Sequence, residues 1–178
     1  MGLEAREWVY RLERRRGVDG TGTPLPGHRR RRGGIRLGIL AAKYITERTG
    51  EVSAMKLQKL MYYAQAWSLV WEEEPLFPDD FQAWANGPVL PTLYARHRGM
   101  FKVSTALFAD ASSDSLSKVE RENMGKVLEF YGDKTAQWLS NLTHQENPWL
   151  DARDGSPVGA PSEVVIPQSA IHEYYSSL

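Results

Sequence analysis

The sequence predicts a mainly α fold: a compact bundle of six or seven helices around a central apolar helix at about 53–72, with room for one minimal β-hairpin and a flexible basic N-terminal tail. Three observations carry this reading. Apolar residues recur at i, i+3, i+4 and i+7 through most of the chain beyond residue 36. One segment, from Ser53 to Trp71, is apolar at almost every azimuth of a helix. Strand-like alternation is confined to one short stretch, Phe81-Gln82-Ala83-Trp84. A chain of 178 residues with 42% hydrophobic and 25% charged content fits one globular domain whose core needs neither disulfide nor metal.

The formal charge of zero conceals an asymmetry. Residues 1–36 carry ten arginines against four acids, and the remaining chain carries twelve basic residues against eighteen acids. Leu3, Trp8, Val9 and Leu12 make one weak apolar stripe, and the Gly/Pro/Arg sequence that follows has little to bury, so disorder is expected from about Gly17 to Gly34. Residues 1–34 thus read as a basic extension and 35–178 as the folded domain. The run Arg29, Arg30, Arg31 and Arg32 suits nucleic acid phosphates, and equally a solvated linker, since no aromatic residues interleave it. Gly17, Gly20 and Gly22 lack the preceding strand and the following Gly-Lys-Ser or Gly-Lys-Thr of a phosphate loop. Translation beginning near Ile35 is an alternative origin for the tail.

Leu37, Leu40, Ala41, Tyr44 and Ile45 predict an amphipathic helix closed by Gly50. Ser53 is the expected N-cap of the central helix, which spans about 30 Å for about 20 residues and lets the other helices pack around it. Pro75, Pro78 and Asp79-Asp80 break it. Asn86-Gly87-Pro88 reads as the entry to a helix carrying Val89, Leu90, Leu93 and Tyr94. Ser117 and Glu120 have capping-box spacing ahead of Met124, Val127, Leu128 and Tyr131. Gly132 is expected to end that helix, Asp133 to cap one bearing Trp138, Leu139 and Leu142, and Asn147 with Pro148 to start a short turn. Pro167 opens a last helix with Ile171, Tyr174, Tyr175 and Leu178.

Recognisable catalytic patterns are missing. Zero cysteines exclude disulfides, thiolate nucleophiles and cysteine zinc sites. The four histidines have no HExxH spacing, His144 with Glu146 offers too few ligands, and no GxSxG occurs, so neither metal nor cofactor is expected. No apolar run approaches the roughly 20 residues of a membrane span, and the expectation is a cytoplasmic protein with no membrane partner. The candidate partner-binding residues are Lys56, Gln58, Lys59, Asn86, Gly87, Pro88, Thr143 and His144, and Gln65 is a further polar residue of interest. Lys56 and Lys59, at i and i+3, form a basic stripe that is either the solvent edge of the central helix or the frame of a cleft for acidic groups. His144 suits a helix-end cap, and Asn86-Gly87-Pro88 suits a turn that backbone geometry alone explains. Trp8, Trp84, Tyr94 and Trp149 are candidate anchors for a protein partner.

Several of these segments occur together, in order: Ala42-Lys43-Tyr44-Ile45, Lys56-Leu57-Gln58-Lys59-Leu60-Met61-Tyr62-Tyr63-Ala64-Gln65, Pro75-Leu76-Phe77, Ala83-Trp84-Ala85-Asn86-Gly87-Pro88-Val89, Leu93-Tyr94, Phe130-Tyr131-Gly132, and Trp138 through His144 with Pro148-Trp149. They resemble the Panacea domain, the SocA-like and phage-associated GepA-like group, over about 35–178. The resemblance implies a mainly helical antitoxin rather than an enzyme. Its partner would be a cognate toxin protein encoded by a neighbouring gene, bound directly. The SocA type further implies an adaptor that delivers its toxin to an ATP-dependent protease. The basic tail is no part of the family pattern. Two other readings stand beside this one: a phage-associated regulator binding host protein or DNA through the arginine tail, and a hydrolase using His144.

Overall fold

Helix α1 (Gly34–Thr49) ends where Gly50 takes φ +71°, and strand β1 (Val52–Ser53) leads into helix α2 (Ala54–Glu72). The computed structural model describes residues 34–178 apart from Val158; the expected disorder before Gly34 and the stripe at Leu3 to Leu12 lie outside the described residues. Ser53 is the N-cap of α2, its hydroxyl accepting the Lys56 N–H at 3.2 Å. Leu57, Leu60, Met61, Tyr62, Tyr63, Ala66 and Trp67 are all fully buried. Since a helix apolar on every side has no face for water, α2 is enclosed by α1, by strand β3 (Gly87–Val89), and by helices α4 (Lys118–Tyr131), α5 (Ala136–Thr143) and α7 (Gln168–Ser176).

The sequence expected a hairpin at most, and the structure holds two small antiparallel sheets. Strand β1 pairs with β4 (Lys102–Val103), with Val52 opposite Val103. Strand β2 (Phe81–Trp84) lies between β3 and β5 (Val165–Ile166), with Trp84 opposite Gly87 and Phe81 opposite Ile166. Residues 165 and 166 are too few to show alternation, and only their partner reveals them as a strand. Helices α3 (Pro91–His97) and α6 (Asn147–Ala152) complete seven α-helices among the described residues, with 3₁₀ turns at Thr105–Phe108 and Ser113–Ser115.

Three expected helix starts are corrected. Asn86-Gly87-Pro88 is no helix entry: Ala85 and Asn86 form the two-residue turn of the β2–β3 hairpin, and Pro88 sits in β3, an edge strand where its missing N–H breaks no ladder. Pro91 is the helix-opening proline, after Leu90. Helix α5 is capped not by Asp133 but by Thr135, whose hydroxyl accepts the Trp138 N–H at 3.1 Å. Glu146, not Asn147, is the N-cap of α6; its backbone is extended and its carboxyl turns inward instead of capping. Each capping candidate was displaced by a neighbour whose side chain or backbone fits the local geometry. The Ser117–Glu120 capping box forms as expected.

Candidate binding cleft

The polar side chains of the apolar helix α2 hold irregular backbone. Two glutamines seven residues apart, hence on one face, each bracket the backbone N–H and carbonyl of one residue. Gln65 Nε2 donates to Phe77 O at 2.9 Å and its Oε1 accepts the Phe77 N–H at 3.2 Å. Gln58 does the same for Leu90, accepting its N–H at 2.8 Å and donating to its carbonyl at 3.4 Å. Helix α3 thus begins without a capping side chain of its own, because a glutamine from α2 satisfies its N-cap residue.

The β2–β3 hairpin is fixed the same way. The Ala83 carbonyl accepts from Arg153 Nη1 at 2.8 Å, Trp84 from the Trp149 indole at 3.0 Å, Asn86 from the Ser140 hydroxyl at 3.0 Å, and Pro88 from the Lys59 amine at 2.9 Å. Four donors from three helices and the segment after α6 therefore lock one tight turn. Gly87 is required twice over. Its φ of +100° disfavours a side chain, and a Cβ there would stand 2.7 Å from both Lys59 Cε and Thr143 Oγ1. The Lys59 amine packs directly under the glycine.

In front of this hairpin lies a cleft of about 300 Å³, between the first turns of α2, the hairpin, α3 and the loop at Gly99-Met100. Trp84 and Tyr94 pack edge to face at 4.8 Å, and Tyr94 and His97 at 5.4 Å, giving the cleft an aromatic wall. Gln58 Nε2 lies 2.9 Å from His97 Nε2. Because the Gln58 oxygen is taken by the Leu90 N–H, its nitrogen is the donor, so His97 Nε2 accepts and its proton rests on Nδ1. Burial lowers the His97 pKa, which favours that neutral ring. Met55 and Met100 flank the cleft, and next to it Phe101 is 81% exposed.

Lys59 is the charged residue of the lining, which contains no carboxylate. It is 1% exposed, and desolvation pulls its pKa down to about 7. The structure therefore corrects the picture of a basic stripe. Lys59 is not a solvent edge but a buried amine, and Lys56 points elsewhere, donating to the Gly132 carbonyl at 2.7 Å past the end of α4. Thr143 is fully buried, its hydroxyl donating to the Ser140 carbonyl at 2.8 Å. His144 is the C-cap residue of α5, its N–H bonded to the Ser140 carbonyl at 3.1 Å. Its ring stacks on Trp149 at 4.2 Å, its Nε2 is buried without a partner among the described residues, and burial with nearby Lys59 and Arg153 lowers its pKa.

Of the expected site residues, Gln58, Lys59 and Asn86 line the cleft; Gly87, Pro88 and Thr143 support it from behind, and His144 stands beside that support. Arg29 to Arg32 lie outside the described residues. His144 and Glu146 form no histidine–acid pair, since Glu146 turns into a tyrosine cluster, accepting the Tyr175 hydroxyl at 2.7 Å and the Tyr63 hydroxyl at 3.4 Å. His97, Met100, Phe101 and Arg153 were not singled out by the sequence. Two of them carried a faint signal: Met100-Phe101 is an apolar pair directly after Arg98-Gly99. Among the described residues no group of three or more His, Cys, Asp or Glu is placed to hold a metal ion.

The family model for the antitoxin SocA-like Panacea domain matches residues 57–150, which is more than half of the chain and includes most of the central helix and the whole hairpin. The chain belongs to this family. No curated protein and no solved structure matches it. The matched span of this Panacea domain contains Gln58, Lys59, Trp84, Asn86, Tyr94, His97 and Met100, so nearly all of the cleft is built from family sequence. No helix of the described residues is long and apolar enough to cross a membrane.

Proposed function

We propose that the protein is the antitoxin of a two-gene module and neutralises its cognate toxin by direct, stoichiometric protein–protein binding in the cytoplasm. Residues 35–178 are the binding domain in this reading, and residues 1–34 are a basic extension that adds contacts to the toxin or to nucleic acid. The observation that carries it is the family match over 57–150. It is supported by a hairpin whose carbonyls are held by Lys59, Ser140, Trp149 and Arg153, because a rigid recognition wall loses little entropy on binding. The acidic balance beyond residue 36 favours encounter with a basic partner, chiefly through the association rate.

The test is to express the adjacent open reading frame with and without this protein, scoring growth and co-purification. Growth arrest relieved only by co-expression, with a stable complex, is the expected result. A harmless neighbour that forms no complex overturns the reading. Delivery of the toxin to an ATP-dependent protease is the extension of the same reading, checked by whether the toxin's half-life shortens when the antitoxin is present and lengthens when the protease is removed.

A further inference from the structure

The cleft's composition is uneven in an informative way. Its walls are apolar and aromatic, through Met55, Trp84, Val89, Tyr94 and Met100, and its charged lining residue is a lysine without a carboxylate. Among the described residues the Lys59 amine donates to Pro88 O, leaving ammonium capacity for two more bonds. The nearby ionisable groups are His97 on α3, His144 at the end of α5 and Arg153 after α6, so the field around the amine is positive or neutral from each of those sides. Where such a buried amine has no counter-ion among the described residues, an incoming carboxylate gains by holding the proton on it. At the mouth, Met100 is 46% and Phe101 81% exposed, although the backbone there is pinned: Phe101 O accepts the Ala54 N–H at 2.9 Å and Met100 N–H bonds His97 O at 2.9 Å. Exposed apolar side chains on a pinned backbone, beside a concave apolar cleft, mark a surface that a protein covers.

We propose that the cleft is the docking site for a segment of the toxin that carries a large apolar side chain beside a carboxylate. The apolar group enters between Trp84, Tyr94, Met55 and Met100, the carboxylate is drawn toward the Lys59 amine, and the body of the partner covers Phe101. About 300 Å³ suits one large side chain rather than a folded element. Thioether and aromatic walls accept apolar groups of differing shape, while the amine selects the sign of the neighbouring charge. This inference rests on the antitoxin reading for the identity of the partner, but the recognition chemistry is testable without it.

Two experiments separate the inference from that reading. In the first, the full isotope-labelled chain is titrated at neutral pH with millimolar N-acetyl-phenylalanine and, separately, with its amide, which keeps the ring and lacks the carboxylate. The expected result is saturable shifts at Trp84, Asn86 and Gly87, with the carboxylate form about tenfold tighter and the advantage abolished in Lys59→Met, whose fold is checked by the dispersion of the same spectrum. Equal binding of both probes, shifts elsewhere, or no shifts overturns the proposal. In the second, Phe101→Asp, a change at an exposed side chain, is tested for growth rescue against the neighbouring toxin. Loss of rescue with unchanged melting is expected. Rescue as complete as wild type, where wild type does rescue, overturns the docking site and leaves the antitoxin reading standing; failure of wild type to rescue removes that reading and leaves the probe titration to decide the cleft.

Discussion

Lys59 and Glu146 are each 1% exposed, yet the molecule treats the two buried ionisable groups in opposite ways. Glu146 sits in a closed tyrosine cluster, accepting hydroxyls from Tyr63 and Tyr175, with Tyr63 stacked on Tyr131 at 4.1 Å. Burial still outweighs these bonds and lifts its carboxyl to about 8. Lys59 has the Pro88 carbonyl as its bonding partner and stands at the wall of an open cleft. The acid is neutralised and satisfied inside the core, whereas the amine, among the described residues, donates to one carbonyl and belongs to a residue of the cleft lining. Equal burial therefore does not give two ionisable groups the same surroundings; the bonds each makes and the space beside it differ.

The sharpest way to break this contrast is at the glycine that seats the amine. Gly87→Val combines a strained positive φ with a clash against Lys59 and Thr143, and an expected loss of about 4 kcal/mol or more should appear in the urea midpoint. A loss under about 1 kcal/mol would mean that the hairpin can lift away from Lys59.

The pH dependence of stability tests both groups together, with opposite signs. Between 4.5 and about 8 the unfolded chain has released the Glu146 proton that the folded protein keeps, so stability falls as pH rises through that interval. Between about 7 and 10.5 the unfolded chain still carries the Lys59 proton that the folded protein has lost, so stability rises. Each limb has a ceiling of about 1.4 kcal/mol per pH unit, and the two contributions produce a trough near neutral pH. Glu146→Gln should flatten the first limb and Lys59→Met the second, read from thermal melts across the range. If Lys59→Met leaves the alkaline limb unchanged, the amine is not the group that titrates.

A smaller effect probes how well the acid is satisfied. Tyr175→Phe removes the 2.7 Å hydroxyl from Glu146 and is expected to cost about 1–2 kcal/mol, with the acidic limb shifted upward because the carboxylate loses a donor. Smallest of all is an ion pair that water already solvates. Lys102 and Glu51 meet at 2.9 Å with side chains 63% and 55% exposed, and Lys102→Ala should change stability by less than about 0.5 kcal/mol. A larger loss would show that this exposed pair contributes more than a water-solvated ion pair ordinarily does.

Helical architecture was legible because helices write their periodicity locally. The α2 core, the Ser53 cap and the Ser117–Glu120 capping box all stand where their spacing puts them. The misplaced starts at Asn86, Asp133 and Asn147 share a cause: several residues in each stretch had capping chemistry, and the choice among them depended on neighbours distant in sequence. Of the cleft, Gln58, Lys59 and Asn86 were legible as polar residues in an apolar context. Met100 and Phe101 were not, because an apolar pair in a loop gives no sign of being exposed until its surroundings are known.

By itself, the sequence determined a mainly helical domain with α2 at its centre and, through the order of its motifs, the family to which it belongs. Only the tertiary structure decided which polar residues of α2 clamp backbone and which border a cleft. Gln58 reaches Leu90 and Lys59 reaches Pro88 across about thirty residues of chain, and Arg153 reaches Ala83 across seventy. Local pattern fixes dihedrals and burial faces, but a hydrogen bond between distant segments exists only once packing has brought them within about 3 Å.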